Sequence, residues 1–448
     1  MKQRSIKNPV HLSLLTGSLL LGLGMSPAFS ENLSQVYQHA KENDAQLRVS
    51  ETNYLAALEA KPQILSSLKP RVDLSANSTY NLQYTGRTIR GEDTDAFLNL
   101  GYELSLTKPI INKKLNAQVK QVDASLLQAK ASLEKDRQDL IVRVAEAYFQ
   151  YLNADETLAF RKAEKTAIGR QLNQTKAFFD AGRSAITDVK EAQARYDLAN
   201  AQIAVAKQQI DVSRETLKAI TTRYYKNLNG AADSIPLLTP KPHSIEAWAK
   251  SAVTNSKQVI VAQHAVNVAQ KAVDIERAAK SPNVNLFAKH GGSSTFGEDA
   301  FDQDRLNASV GVQLSVPLYE GGNIASRVRQ ARHKLRQSRQ QLELQKRLAT
   351  QQTRAAYLTI LSGLSQVKAL KQALNSSQTA AKATQAGFDA GTRTAVDVLL
   401  SLRETFSAKR DYSTARYDFL LNTLKLKQAT GTLSETDLMA ISKLLNKR

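Results

Sequence analysis

The sequence contains no cysteine, and its 10 prolines leave long parts of the chain untouched. Without cysteine there is no disulfide, no thiolate nucleophile and no cysteine-ligated zinc site, which is compatible with an oxidising compartment. Proline is absent from residues 110–235 and 318–448, where Ala, Gln, Leu, Lys and Arg dominate. Because proline interrupts helices, these two stretches predict long helices.

Residues that carry catalytic or metal chemistry are also scarce. The 6 histidines, His290 and His333 among them, are isolated, and no two of them share a helical turn with a nearby acid. The pair Gly321-Gly322 could begin a phosphate-binding loop, but no Lys-Ser or Lys-Thr follows it. It better fits a turn between a strand and a helix. We therefore predict that the protein is not an enzyme and has no cofactor or metal.

One N-terminal segment is typical of membrane targeting. Three basic residues precede the apolar run Leu12–Met25 and a stretch of small residues, which predicts a cleaved signal peptide over residues 1–30. Its removal would lower the formal net charge from +20 to +17. The remaining basic residues alternate with acids along helices and form no known nucleic-acid motif, so we expect no nucleic-acid partner. No other segment approaches the ~20 apolar residues of a spanning helix, so membrane insertion would require strands.

Four segments alternate apolar and polar residues at period two, in the pairs 71–107 and 283–316. Successive strand side chains point to opposite faces, so each segment has one apolar and one polar face. A soluble sheet would bury the apolar face, and the pattern alone favours that interpretation; an outer-membrane barrel would turn it to lipid. Four strands cannot close a barrel, so the second interpretation needs several copies. The third segment is irregular, since Phe287 and His290 lie on unexpected parities.

The two proline-free stretches repeat each other. At an offset of 209 residues, 179–182 matches 388–391 and 188–189 matches 397–398. Each half is predicted to contain a helix, two strands, a long helix, a turn and a returning helix. A helix of ~65 residues would extend about 100 Å at 1.5 Å per residue, although an ordinary coiled coil has the same periodicity. We predict repeats over 31–235, with helices in 112–218, and 236–448, with helices in 323–430 and a C-terminal belt segment.

Several ordered motifs carry a family resemblance. They include Gln171-Leu172-Asn173-Gln174-Thr175, Ala185-Ile186-Thr187-Asp188-Val189, Tyr319-Glu320-Gly321-Gly322, Gly391-Thr392-Arg393-Thr394 and Ala429-Thr430-Gly431-Thr432-Leu433. With these motifs the chain resembles the TolC-type outer-membrane efflux channels across nearly its full mature length. The resemblance implies a homotrimer whose twelve-stranded transmembrane β-barrel, four strands per chain, continues into a long α-helical periplasmic barrel. It also implies loops at 85–95 and 297–304 facing the cell exterior, and a belt near 219–256 and 432–448.

The resemblance assigns a periplasmic entrance gate to the turns 179–188 and 388–397. Thr187, Asp188 and Arg393 match gate positions, and Arg393 is expected to bond Thr187 or Asp188. Asp397 would form a ring of three carboxylates that favours cations. Three positions depart from the family pattern: Phe388 replaces a tyrosine, Ala177 a glutamine and Leu400 a second aspartate. Closure should therefore depend more on Arg393 and on the packing of Phe388.

In the barrel that the resemblance implies, the apolar face of each strand would point to lipid and the polar face to the pore. The residues expected to face outer-membrane lipid are Val72, Leu74, Leu98, Leu100, Leu104, Val310, Val312 and Leu314. The residues expected to face the pore are Asn77, Asn81, Asn99, Glu103, Asn307 and Gln313.

The implied function is a passive exit duct for multidrug efflux and type I protein secretion. Its partners would be a periplasmic adaptor protein and an inner-membrane transporter of the RND, MFS or ABC class. The alternative from a different class is a non-transporting periplasmic coiled-coil interaction protein whose strands form a soluble sheet.

Overall fold

The computed structural model describes residues 31–88, 91–231, 235–297 and 303–445; the predicted signal peptide lies outside these ranges. Within these ranges, one series of six elements occurs twice: two helices, two strands, a long helix and a returning helix. One short helix follows the second series and ends the described chain. The elements are α1 (Leu33–Asn43), α2 (Ala45–Ser66), β1 (Arg71–Thr88), β2 (Gly91–Asn112), α3 (Lys113–Asp180), α4 (Ile186–Thr221), α5 (Ile245–Asn255), α6 (Lys257–Ala278), β3 (Asn283–Gly297), β4 (Gln303–Ser315), α7 (Asn323–Asp389), α8 (Ala395–Ala429) and α9 (Glu435–Leu444).

The four strands form one antiparallel sheet in the order β1-β2-β3-β4. The register places Leu74 opposite Leu104, and Leu104 opposite His290. His290 in turn faces Ala308. Apart from the register shifts between Thr85 and Thr88 and between Pro109 and Ile111, the even-numbered residues of all four strands therefore share one face, and the odd-numbered residues share the other.

The irregular third strand follows the same parity. Phe287 lies on the polar face because Gly311, directly opposite, leaves room for its ring: a Cβ on Gly311 would come within 2.7 Å of that ring. On the apolar face, Tyr102 covers Gly292 in the same way and meets His290 edge-on at 6.1 Å between ring centroids. On both faces, a glycine on one strand thus leaves the space that an aromatic ring on the neighbouring strand fills.

The predicted exterior loop at 85–95 is wrong in extent. β1 continues to Thr88 and β2 begins at Gly91, so most of that segment is paired strand. The family resemblance implied a loop there, but backbone pairing does not depend on an apolar face once two strands are held antiparallel by the residues below. Of the second predicted loop, residues 298–302 lie outside the described residues.

The long helices match the length expected from the sequence. α3 has 68 residues and α7 has 67, so each extends about 100 Å. Gly169 does not interrupt α3; the ring of Tyr196 on α4 lies against it instead, 3.3 Å from where a Cβ would stand. α3 packs against α4, α6 and α8, while α7 packs against α6 and α8.

The largest buried cluster surrounds the middle of α3 and α8. Tyr148 and Tyr151 of α3 are buried, and their hydroxyls donate to the carbonyl oxygens of Asn229 and Lys226 at 2.7 Å. α1, α9, residues 225–231 and Ile235 cover this region with further buried apolar side chains. These short segments thus pack against the long helices at mid-length and do not cover the sheet at one end or the helical turns at the other.

Candidate functional site: the two helical turns

The first turn joins α3 to α4. Gly182 has a left-handed backbone (φ 71°), and the amide of Arg183 donates to the carbonyl oxygen of Phe178 at 2.7 Å, which closes the end of α3. α4 begins after Ala185, whose methyl side chain cannot cap the helix. Asp188 instead accepts a hydrogen bond from the Ser184 hydroxyl at 2.8 Å.

The second turn joins α7 to α8 and has a different chemistry. Gly391 is again left-handed (φ 80°), and both the amide and the hydroxyl of Thr392 donate to the carbonyl oxygen of Gly387. Thr394 and Asp397 form a capping box: the Asp397 amide donates to the Thr394 hydroxyl, and the Thr394 amide donates to the Asp397 carboxylate. The second returning helix therefore has a side-chain cap that the first lacks.

Two contacts join the turns within one chain. The rings of Phe178 and Phe388 stack with centroids 5.3 Å apart, and Phe388 is 6% exposed. Gln174 of α3 and Gln385 of α7 both donate to the Asp389 carboxylate, at 2.9 and 3.0 Å. An apolar stack and a small amide–carboxylate network thus hold the two helix ends together.

The predicted gate residues occupy different environments. Phe388 is buried, while Thr187 and Arg393 are exposed. Among the residues that the structure describes, no hydrogen bond joins Arg393 to Thr187 or Asp188 within one chain; that bond would have to form between copies. Asp397 is partly exposed on α8, and one of its carboxylate oxygens is engaged in the capping box.

The capping box also sets the charge state of Asp397. The hydrogen bonds from the Thr394 amide and hydroxyl hold the pKa of this carboxyl below its ordinary value of 3.8, and the Arg393 guanidinium acts in the same direction. Asp397 is therefore ionised at neutral and mildly acidic pH, as a cation-binding group must be.

The sequence did not predict a buried cluster of charged side chains between α3 and α8. Glu164 of α3 has a side chain only 4% exposed and binds Arg161 at 2.9 Å and Arg410 of α8 at 3.2 Å. Burial and the neighbouring Arg161 lower the pKa of Arg410. Leu400 lines the adjoining groove. The approach of Arg410, which is 246 residues from Glu164 in the sequence, had no local signal.

The apolar face of the sheet is the second candidate site. Val72, Leu74 and Val310 are 60%, 71% and 78% exposed, so no other part of the described chain covers this face. The expected lipid-facing residues all lie on it, and the expected pore-facing residues all lie on the opposite face. Because large apolar patches rarely remain exposed, this face must meet an apolar environment.

Sequence comparison connects these two sites with a known family. The model of the family described as "Outer membrane efflux protein" matches residues 36–223 and 248–432. The chain belongs to the outer membrane efflux protein family. Members of this family lie in the outer membrane with a periplasmic tunnel and form the exit duct of efflux systems, and the protein shares this location and role.

Individual relatives agree with the family assignment. The chain is 35% identical to the outer membrane protein TolC of Escherichia coli, over 96% of this chain and 89% of the relative. It is 34% identical to TolC of Vibrio cholerae, over 95% and 96%. It is 29% identical to the alkaline protease secretion protein AprF of Pseudomonas aeruginosa, over 96% and 90%.

Solved structures share the fold of this outer membrane efflux protein. The crystal structure of CusC superposes with a TM-score of 0.75 at 17% identity, covering 90% of this chain and 92% of that one. VceC from Vibrio cholerae gives 0.73 at 16% identity, covering 89% and 96%. Over residues 31–88, 91–231, 235–297 and 303–445, no helix is long and apolar enough to cross a membrane, and no group of His, Asp or Glu is arranged for a metal ion.

Proposed function

We propose that three copies of the chain form one twelve-stranded barrel, through which substrates leave the cell from a helical tunnel. The exposed apolar face of the sheet carries this proposal. β1 and β4 each have a strand neighbour on one side only in the described chain. Free edges and an uncovered apolar face are both removed when sheets join edge to edge in lipid.

The alternative, a soluble periplasmic coiled-coil protein, fits less well. A soluble sheet would need an apolar layer packed on the even-numbered face, and the helices of the described chain pack on one another instead. Leu306 and Val310, 75% and 78% exposed, would then lie in water.

The internal repeat supports a cyclic assembly. α6 lies between α3 and α7 of the same chain, whereas α2, its counterpart in the first half, packs chiefly against α3. α2 leaves Val49, Leu55 and Leu58 exposed at 59%, 60% and 38%. If neighbouring copies continue the pattern, α7 of the next copy covers this face of α2. Two repeats per chain and three chains then give a closed ring.

α4 carries a second unpartnered stripe. Leu198, Val205 and Val212 are spaced by seven residues and are about half exposed or more. At the offset of 209, Val205 corresponds to Thr414 of α8, whose hydroxyl donates to Asn153 of α3 at 2.8 Å. In the internal repeat, α4 corresponds to α8 and α7 corresponds to α3. The exposed face of α4 would therefore pack against α7 of the next copy, as heptad-spaced apolar residues do in paired helices.

The gate and its partners complete the proposal. Thr187, Asp188 and Arg393 would bond between copies at the tunnel entrance, Phe388 would pack behind them, and Asp397 would line the constriction. The family description and the name of AprF suggest efflux and protease secretion as the cargo routes. We propose a periplasmic adaptor and an inner-membrane RND, MFS or ABC transporter as partners, as the family resemblance implies.

The deciding experiment is fractionation followed by conductance. A heat-modifiable trimer from outer membranes that conducts ions in planar bilayers is expected. Single cysteines at Leu74 and Val310 should react only with lipid-phase reagents, and cysteines at Asn77 and Asn307 only with aqueous ones. A soluble monomer in the periplasmic extract would refute the duct.

Deletion of the gene, with profiling of drugs, detergents and exported proteins, assigns the cargo. Lost drug resistance with intact protein export indicates efflux alone. Loss of both indicates a shared duct.

A further inference from the structure

A basic rim lies where the sheet meets the helices. The register places Arg71 opposite Thr107, and Asn112 opposite Asn283, so all four strand–helix junctions lie at one end of the sheet. The exposed lysines of this rim are Lys69, Lys108, Lys113 and Lys280, and Lys114 is half-buried beside them. We refer to these five residues as the rim lysines.

The rim lysines have no acidic partners. In the described ranges none of them takes part in an ion pair or a side-chain hydrogen bond, whereas acids nearby are already engaged: Asp73 binds Arg71 at 2.9 Å and Glu276 binds Arg327 at 3.2 Å. Glu320 adds one exposed acid. The rim therefore has an excess of positive charge that the chain itself does not neutralise.

Lys108 occupies a particular position in the rim. It continues the even-numbered row of Leu98, Leu100, Tyr102, Leu104 and Leu106 on the apolar face and pairs with Leu286 of β3. A lysine at the margin of a lipid-facing row extends its ammonium along the apolar surface to the headgroup layer. Lys69 precedes β1 by two residues, and Arg71, the first residue of β1, pairs with Thr107, the residue before Lys108.

Apolar and aromatic side chains mark the same level. Leu318 and Tyr319, between β4 and α7, are 93% and 89% exposed, and Ile110 and Ile111 at the end of β2 are half exposed. Tyrosine is enriched where a membrane meets water. The rim thus combines the two features of an interfacial site, an apolar anchor and a cationic layer next to it.

We propose that the rim lysines bind the phosphates of anionic phospholipids in the periplasmic leaflet of the outer membrane, with Lys108 at the centre of the site. This inference rests on the proposed barrel, because it needs the apolar face to be embedded in lipid. Ammonium groups unpaired within the chain and placed at headgroup depth attract anionic lipid over zwitterionic lipid. The bound lipids would form an annulus around the trimer at the level where the tunnel begins.

The test uses the purified trimer in vesicles of phosphatidylcholine containing a minor fraction of phosphatidylglycerol, followed by detergent extraction and quantification of the retained lipids. The wild-type trimer is expected to retain phosphatidylglycerol above its bulk proportion. Lys108→Gln is expected to reduce this enrichment about fivefold, and Lys108→Gln with Lys113→Gln further still. Lys190→Gln is the matched control, because Lys190 is an exposed lysine near the start of α4, and it should leave the enrichment unchanged.

Retention in bulk proportion, or equal enrichment in the double variant, would overturn the site. Displacement of the lipid by inorganic phosphate at matched concentration would also contradict it, since a phosphate pocket needs no membrane. Conductance of the same samples separates the two proposals: conducting trimers without lipid enrichment refute only the rim, and the absence of conductance in every bilayer refutes the duct.

Discussion

The two turns at the helical tips share the sequence Phe-Asp-Ala-Gly and differ in chemistry after it. Position 185 is alanine and its counterpart 394 is threonine. This one difference decides whether the returning helix has a side-chain cap: Thr394 forms a box with Asp397, while Asp188 turns to Ser184. The second turn is therefore fixed by its own side chains, and the first depends on what lies around it.

The apolar side chains of the second turn are also more deeply buried than their counterparts in the first turn. Phe388 is 6% exposed, but its counterpart Phe179 is 39% exposed; Ala395 is 1% exposed, but its counterpart Ile186 is 48% exposed. The second turn has its apolar contacts within the chain. The first turn presents its apolar side chains outward, as expected of the half that meets a neighbouring copy.

The largest effect is expected from removing the aromatic stack. Phe388→Ala leaves a cavity beside Phe178 and should cost about 3–5 kcal/mol of local stability, with a raised resting conductance. Phe179→Ala is the matched variant and, in detergent-dissociated monomers, should cost far less. Proteolysis at the tips and bilayer conductance measure both. Equal effects in monomers would contradict the difference in burial.

Arg393→Ala should open the resting channel, because Arg393 is the proposed charged donor between copies. We expect a several-fold rise in the conductance of trimers in planar bilayers. Arg183→Ala is the control: Arg183 lies over the Phe178 ring at 4.6 Å and should affect closure less. Unchanged conductance in Arg393→Ala would exclude this residue from the gate.

Exchanging the N-cap residues of α4 and α8 tests whether the cap causes the difference between the two turns. Thr394→Ala should destabilise the start of α8 by about 1 kcal/mol, and Ala185→Thr should stabilise the start of α4 by a similar or smaller amount. Hydrogen exchange of the first-turn amides reports each change separately. If Thr394→Ala leaves the α8 amides as protected as before, the capping box contributes nothing to the second turn.

The smallest expected effect concerns pH. The folded pKa of Asp397 is below the ordinary 3.8, so its contribution is fully present above that value and is lost only as pH falls through the lower, folded pKa. Block of conductance by multivalent cations should therefore persist from neutral to mildly acidic pH. Asp397→Asn should weaken the block throughout, while Asp188→Asn should not. Block that disappears well above the ordinary pKa would contradict the capped carboxylate.

Helix lengths and strand faces could be predicted because they depend on local periodicity. The absence of proline predicted two long helices, and parity gave the face of each strand, even where Phe287 and His290 looked irregular. Their positions needed information from the neighbouring strands, namely Gly311 and Tyr102. The loop that the family resemblance implied at 85–95 was too long, because strand pairing in the first hairpin continues through polar residues.

Contacts between distant segments could not be predicted. The Phe178–Phe388 stack and the Glu164–Arg410 pair join residues more than 200 positions apart. No spacing in the sequence indicates which side chains meet across helices of this length. The tip was found through family resemblance and internal repetition, and its actual bonds came only from the structure.

The nearly equal lengths of α3 and α7, 68 and 67 residues, have a mechanical consequence. The two turns therefore lie at a similar distance from the sheet, and in the proposed trimer the tunnel entrance would be level. Deleting two turns from one long helix alone would tilt the entrance by about 11 Å. Matched deletions in both helices and their returning partners would keep it level but leave it short of the inner-membrane apparatus.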